Sequence, residues 1–181
     1  MTVAPAEKFA TLKTAAGWVD TEPGKALDQL RPLLDDGDTD STAQILAARA
    51  LVNLERYLEA AGIARRAIER RGFSQELFSI WLHASGHGGD YAGQEAAIEL
   101  GFSQPRMEYR NLLLMAQACR FLGMSERAAK ILKLLIQSRP EDSEIHARLG
   151  LVCQSAGDLH GAEACFSAAI GTDRAAAQNY S

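Results

Sequence analysis

His83 and His87, four residues apart, are the first side chains in this sequence whose spacing suggests chemistry. At that interval on a helix two imidazoles share a face and can meet one metal ion. Asp90 follows Gly88-Gly89 as a candidate third ligand. The glutamate of an HExxH site is absent, because the segment reads His83-Ala84-Ser85-Gly86-His87. The pair is therefore read as one histidine on a helix face and one beside a glycine-rich turn, and no metal is expected. Gly86-His87-Gly88-Gly89-Asp90 matches neither a P-loop nor a dinucleotide fingerprint, and it follows a helical pattern instead of a strand. It reads as a turn between two helices, and no cofactor is expected.

The cysteines carry no stronger signal. Cys119, Cys153 and Cys165 are an odd number without CxxC spacing, so they make neither a disulfide framework nor a zinc pattern. Cys119 and Cys153 fall in one column with Leu51 and Ser85 at steps of 34 residues. That marks them as packing residues, since free cysteine behaves as a small hydrophobe. No helix start or basic partner is placed to activate a thiol. No catalytic residue is assigned, and a reducing cytoplasm is the expected location.

Composition narrows the class further. The 181 residues suffice for one substantial core, and a hydrophobic fraction of 47% argues against wholesale disorder. Aromatics are only 7%, with Ala and Leu dominant, which favours closely packed helices over sheet. Nineteen Lys and Arg against 23 Asp and Glu give a net charge of −4, so the field expected of a nucleic-acid binder is missing. Arg65, Arg66, Arg70 and Arg71, with Glu69 between them, read as a solvated helix face. The stretch from Met1 to Ala10 has no basic segment leading into an apolar run, and no later stretch has the length and apolarity of a membrane span.

The elements that must position these residues come from an internal repeat. At a shift of 34 residues the columns read Leu34, Ile68, Phe102, Ile136, Ile170; Ala16, Ala50, Ala84, Ala118, Val152; Ala26, Ala60, Gln94, Ala128, Ala162; and Leu30, Ala64, Ile98, Leu132, Phe166. Large columns fill the space between helices, and small ones let two backbones approach. An amphipathic helix alone has a period of about 3.6 and would not repeat column identities. Each unit divides into two helices at a glycine, as at Gly89-Asp90, Gly123 and Gly157-Asp158. Ser125, and the Ser41/Gln44 pair, have spacing suited to helix caps. Helices are expected near 5–17, 23–35, 41–54, 57–70, 75–87, 91–101, 108–122, 125–138, 143–156 and 159–171. Lys13, Thr14, Gly17 and Pro32 weaken the first unit, which is expected to be a kinked or shortened cap.

These columns resemble the tetratricopeptide repeat. The resemblance rests on Leu149-Gly150, Cys153, Gly157-Asp158-Leu159, Ala162, Phe166 and Ala169, on Trp81, Gly89-Asp90-Tyr91 and Pro105, and on Leu112, Gly123, Ala128, Leu135 and Pro140. It departs at Gln94 and Gly101, where small or aliphatic residues are usual. It implies a single all-α domain, a right-handed solenoid of antiparallel helix hairpins. The degenerate unit is 1–38, and the repeats are 41–72, 75–106, 109–140 and 143–174. The segment 175–181 then begins an incomplete further helix, with Tyr180 falling 34 residues after His146.

In the family the first helix of each pair lines a concave groove that holds a peptide. Carried over residue by residue, the groove takes Arg49 and Val52, then Ser79 and His83, then Arg110, Leu113, Gln117 and Arg120, and finally Leu151 and Gln154, with Glu144 and Ala147 beside them. One subfamily grips a C-terminal carboxylate with Lys, Asn and Arg. The corresponding places here hold Ile45, Arg49, Ile80, Arg110 and Leu114, so that activity is not expected. Arg49, Arg110 and Arg120 remain able to pair with acidic groups. The implied function is a non-catalytic scaffold or adaptor for a protein or peptide partner, with no nucleic acid and no membrane. Two alternatives are the amino-terminal arm of a larger bacterial enzyme, such as a sulfotransferase or aspartyl hydroxylase, and a secretion chaperone. The apolar face of the last helix, lacking a polar cap, is expected to be covered by a partner, a second copy or a downstream domain.

Overall fold

The computed structural model describes residues 5–35 and 41–179. Ten helices follow one another among them, and no strand occurs there. They are α1 (Pro5–Trp18), α2 (Pro23–Asp35), α3 (Ser41–Asn53), α4 (Tyr57–Arg71), α5 (Gln75–His87), α6 (Tyr91–Ser103), α7 (Tyr109–Phe121), α8 (Ser125–Ser138), α9 (Ser143–Ser155) and α10 (Leu159–Asn179). Two compact units divide the chain, Met1–Glu99 and Leu100–Ser181, with the division inside α6. In the first, each helix from α1 to α4 packs on its successor, and α3 also reaches α5. In the second, α7 packs on α8, α8 on α9 and α9 on α10, and α7 also reaches α9. Packing on both the next helix and the next but one is the contact pattern of stacked helix hairpins.

Small residues permit this stacking. Ala50, Ala84, Ala118 and Val152 are all buried, as are Ala60, Gln94, Ala128 and Ala162. Ala16 is exposed, however, and α1 buries Ala15 and Val19 instead. The recurring register therefore enters at α2, through Ala26 and Leu30, and does not include α1. Neither helix of the first pair is shortened: α1 has 14 residues, and α2 has 13 and continues past Pro32. The column ending in Ile170 is not uniformly internal. Ile68 is buried, but Phe102 and Ile170 are 42% and 55% exposed, and the Arg127 guanidinium lies 5.5 Å from the centre of the Phe102 ring. In α2, α4, α6 and α8 this column lies near the helix end, whereas Ile170 lies in the middle of α10.

The turns repeat in chemistry as well as position. Gly89, Gly123 and Gly157 have φ of +73°, +74° and +81°, the left-handed conformation that closes a helix and costs glycine little. Asp90 and Asp158 follow at one step and cap α6 and α10, each accepting a 2.9 Å bond from the amide of Gly93 or Gly161. Ser125 makes no such cap: it is the first residue of α8, and the cap position is Met124, whose side chain accepts nothing. The corresponding place in the α3–α4 turn holds Glu55, at φ +59°. A residue with a Cβ is strained there by about 1–2 kcal/mol. Glu55→Gly should therefore stabilise the protein by about 1 kcal/mol and raise its Tm by about 2–4 °C; a lower Tm would contradict the strain.

A second device ties α7 to α9. The Tyr109 hydroxyl donates to Asp142 at 2.6 Å, and Asp142 caps α9 by accepting from the Glu144 amide at 3.1 Å. The Arg139 guanidinium lies 4.2 Å from the Tyr109 ring centre. Burial, followed by the bond to Asp142, pushes the phenol up to about 12. The folded state thus holds this proton more tightly than the unfolded chain. The resulting stability is complete below about pH 10, the phenol's ordinary value, and is lost as pH rises through about 12. Tyr109→Phe should remove a late-ionising component from the tyrosinate absorbance titration and cost about 1 kcal/mol at neutral pH.

α10 runs unbroken to Asn179. The segment 175–179 therefore continues α10 and does not open a new helix, while Tyr180 and Ser181 lie outside the described residues. A glycine-type break such as Gly157 supplies for α9 is missing after Arg174, and Ala175-Ala176-Ala177 favours continued helix. Leu159 and Ile170 on α10 are exposed. Among the described residues no helix is long and apolar enough to cross a membrane.

Candidate partner-binding site

In the first unit, the groove residues carried over from the repeat pattern are mostly engaged locally. Arg49 is exposed on α3, with its guanidinium 3.4 Å from the Asp20 carboxylate in the α1–α2 turn. Asn53 closes the same corner by donating to the Val19 carbonyl at 2.9 Å and to Asp20 at 3.1 Å. An exposed pair of this kind stabilises by less than about 1 kcal/mol, so a competing carboxylate can displace it. Val52 is half-buried, and the Ser79 hydroxyl donates to the Glu76 carbonyl at 2.8 Å within α5. His83 is half-buried and its ring touches that of His87, with centroids 4.3 Å apart. Trp81 is buried, with the Arg65 guanidinium 5.9 Å from its ring centre, as its packing column implies.

The second unit brings several candidates together. α7 and α9 flank a cavity of about 380 Å³ whose floor includes Ala116, Leu132, Ala147 and Val152. Gln117, Arg120, Glu144, Arg148 and Leu151 also line it. This is the size of a modest ligand pocket, and its mixed lining of apolar surface and a few charged groups suits an extended side chain. Arg148 organises one wall. Its guanidinium donates to Glu144 at 2.6 Å along α9 and to the Gln117 amide oxygen at 3.2 Å across to α7. Arg120 is half-buried against the Phe121 ring, 4.5 Å from its centre. Leu151 is 41% exposed, a large apolar surface left facing water.

The remaining candidates lie apart from this cavity. Arg110 and Gln154 are exposed, and neither lines it. Leu113 is buried with the core residues of its unit. Arg148 was missed by the sequence reading, although a signal existed. Its column reads Leu46, Ile80, Leu114 and then Arg148, a charge where three repeats place an aliphatic residue.

The three thiols differ in burial. Cys119 is fully buried, while Cys153 and Cys165 are half-buried. Burial, and then the neighbouring Cys153 thiol, push the Cys165 thiol up, the direction opposite to an activated nucleophile. Among the described residues no three His, Cys, Asp or Glu side chains surround a common point.

This arrangement of hairpins is found in solved structures. MamA from Desulfovibrio magneticus RS-1, residues 41 to the end, superposes with a TM-score of 0.79 and 16% identity, covering 96% of this chain and 98% of that one. MamA MSR-1 gives 0.73 and 14%, over 94% and 96%. A further MamA crystal structure gives 0.76 and 13%, over 93% and 94%. MamA is a tetratricopeptide-repeat protein. The fold is that of the tetratricopeptide repeat. At these identities the likeness is one of backbone arrangement. No protein-family model matches the sequence, and no curated protein sequence matches it.

Proposed function

We propose that this tetratricopeptide-fold protein is a non-catalytic interaction scaffold, and that the cavity between α7 and α9 takes a side chain or turn from a partner protein. The observation that carries this reading is the cavity itself, with an apolar floor open beside the half-buried Arg120 and the exposed Leu151. Arg148 is already bonded to Glu144 and Gln117, so its role is to hold the wall. Arg120 is the cation that meets the ligand, and a carboxylate is its natural counterpart because guanidinium binds one through two parallel hydrogen bonds. Leu151 and Ala147 then cover an apolar group beside that carboxylate. The fold, shared with a tetratricopeptide-repeat scaffold such as MamA, agrees with this class of function.

The test is affinity capture by the full chain, compared with Arg120→Glu/Leu151→Glu and with a control on the outer face of α8, Lys130→Glu/Lys133→Glu. The partner should be retained by the control and reduced about tenfold or more by the cavity variant, since central anchor residues contribute about 2 kcal/mol or more each. Equal capture by all three forms would remove the cavity from the binding surface.

A further inference from the structure

His83 and His87 are in direct ring contact on α5. The centroids of His83 and His87 are 4.3 Å apart with the ring planes tilted by 45°. Two imidazoles on one ion place each nitrogen about 2.0–2.1 Å from the metal and each ring centre about 1.1 Å beyond it, which at a right-angled bite separates the centres by about 4.5 Å. The observed separation of the ring centres lies near that value, the right angle being that of a six-coordinate ion. The rings are also supported. Tyr57 packs on His87 with centroids 5.3 Å apart. Gly88 makes room for this: a Cβ there would lie 3.2 Å from Tyr57 Cβ and 3.0 Å from a Leu58 methyl.

Both rings are available to a ligand. Among the described residues, no hydrogen bond occupies a nitrogen of either imidazole. His87 is exposed, so an ion can reach the pair from solvent. We propose that His83 and His87 form a two-imidazole chelate on α5 for a divalent transition cation, with water filling the other coordination positions. Imidazole nitrogen suits Ni²⁺, Cu²⁺ and Zn²⁺, whereas Mg²⁺ and Ca²⁺ require oxygen ligands. Two protein ligands make an open site, unlike the four that close a structural one. The site lies in the first unit, and it stands or falls independently of the cavity between α7 and α9.

Titration calorimetry on the full chain with Ni²⁺ tests the proposal, nickel being chosen because Cu²⁺ oxidises thiols. The protein should bind one equivalent, and Mg²⁺ should give no binding heat. His87→Ala should bind about tenfold more weakly or worse, because the second ligand's effective concentration is lost. His87 is exposed, and an unchanged circular dichroism spectrum would show that the fold is retained. His160→Ala and Cys153→Ser/Cys165→Ser should bind as the parent does. Failure of the parent to bind Ni²⁺, binding within about twofold of the parent in His87→Ala, or loss of binding in the cysteine variant would each overturn the site.

Discussion

Phe78→Ala is expected to destabilise the protein by about 3–5 kcal/mol, the loss that follows truncation of a fully buried phenylalanine. Phe78 is 0% exposed in α5 and meets the Phe73 ring at 5.5 Å between centroids. Removing it leaves a cavity that neighbouring helices cannot close without giving up their own contacts. That loss is a large part of a typical domain stability of about 5–15 kcal/mol. Guanidinium denaturation should show a lower midpoint with an unchanged slope. Phe121→Ala is the matched control. Its ring is 66% exposed, so that substitution should stay within about 0.5 kcal/mol. If the two variants unfolded at the same midpoint, the core position of Phe78 would be wrong.

The difference between these two phenylalanines marks where sequence reading succeeds. Phe78 belongs to a column with Gln44, which is buried, and Leu112 and His146, which are partly buried, and the recurring interval places all four on the first helix of a pair. From α3 to α9 the expected helix limits lie within two residues of those observed, because glycine breaks and apolar stripes report them directly. The interval records what every repeat must share, namely packing. It is silent on what distinguishes one repeat from the next. Arg148 in an aliphatic column is such a difference, and so is Glu55 in a glycine column.

Gln94 shows how one departure can explain another. It sits in a column otherwise filled by alanine, yet it is buried, and its amide occupies the space where a Cβ on Gly86 would fall. The missing side chain at Gly86 and the oversized one at Gln94 compensate each other across α5 and α6. Neither exception is intelligible until the two helices are seen together. The contact between His83 and His87 was only half legible for a related reason. The spacing put both on one face, but rotamers and the support of Tyr57 decide whether the rings meet. The α1 register was not legible at all, because α1 turns Ala15 and Val19 inward against α2 and α3 in place of the column residue Ala16.

Gly150→Leu should cost about 3 kcal/mol despite improving the helix. Leucine exceeds glycine in helix propensity by about 0.8 kcal/mol, so backbone preference alone predicts stabilisation. Gly150 is buried on α9, however, and a Cβ added there would lie 2.7–2.9 Å from three carbons of the Phe166 ring. Carbon atoms in good contact are about 3.5–4.0 Å apart, so the ring must move before even the first added carbon fits. Phe166 is half-buried, not fully internal as its column suggested, and its truncation alone should cost about 2–3 kcal/mol, below the loss for a fully buried ring. In the double variant Gly150→Leu/Phe166→Ala the leucine enters the vacated space. The two losses should then fall short of additivity by about 1–2 kcal/mol, the coupling expected of residues that compete for one volume. Additive losses would mean that the ring and the glycine do not meet, and that the close approach of α9 and α10 rests on something other than the missing side chain.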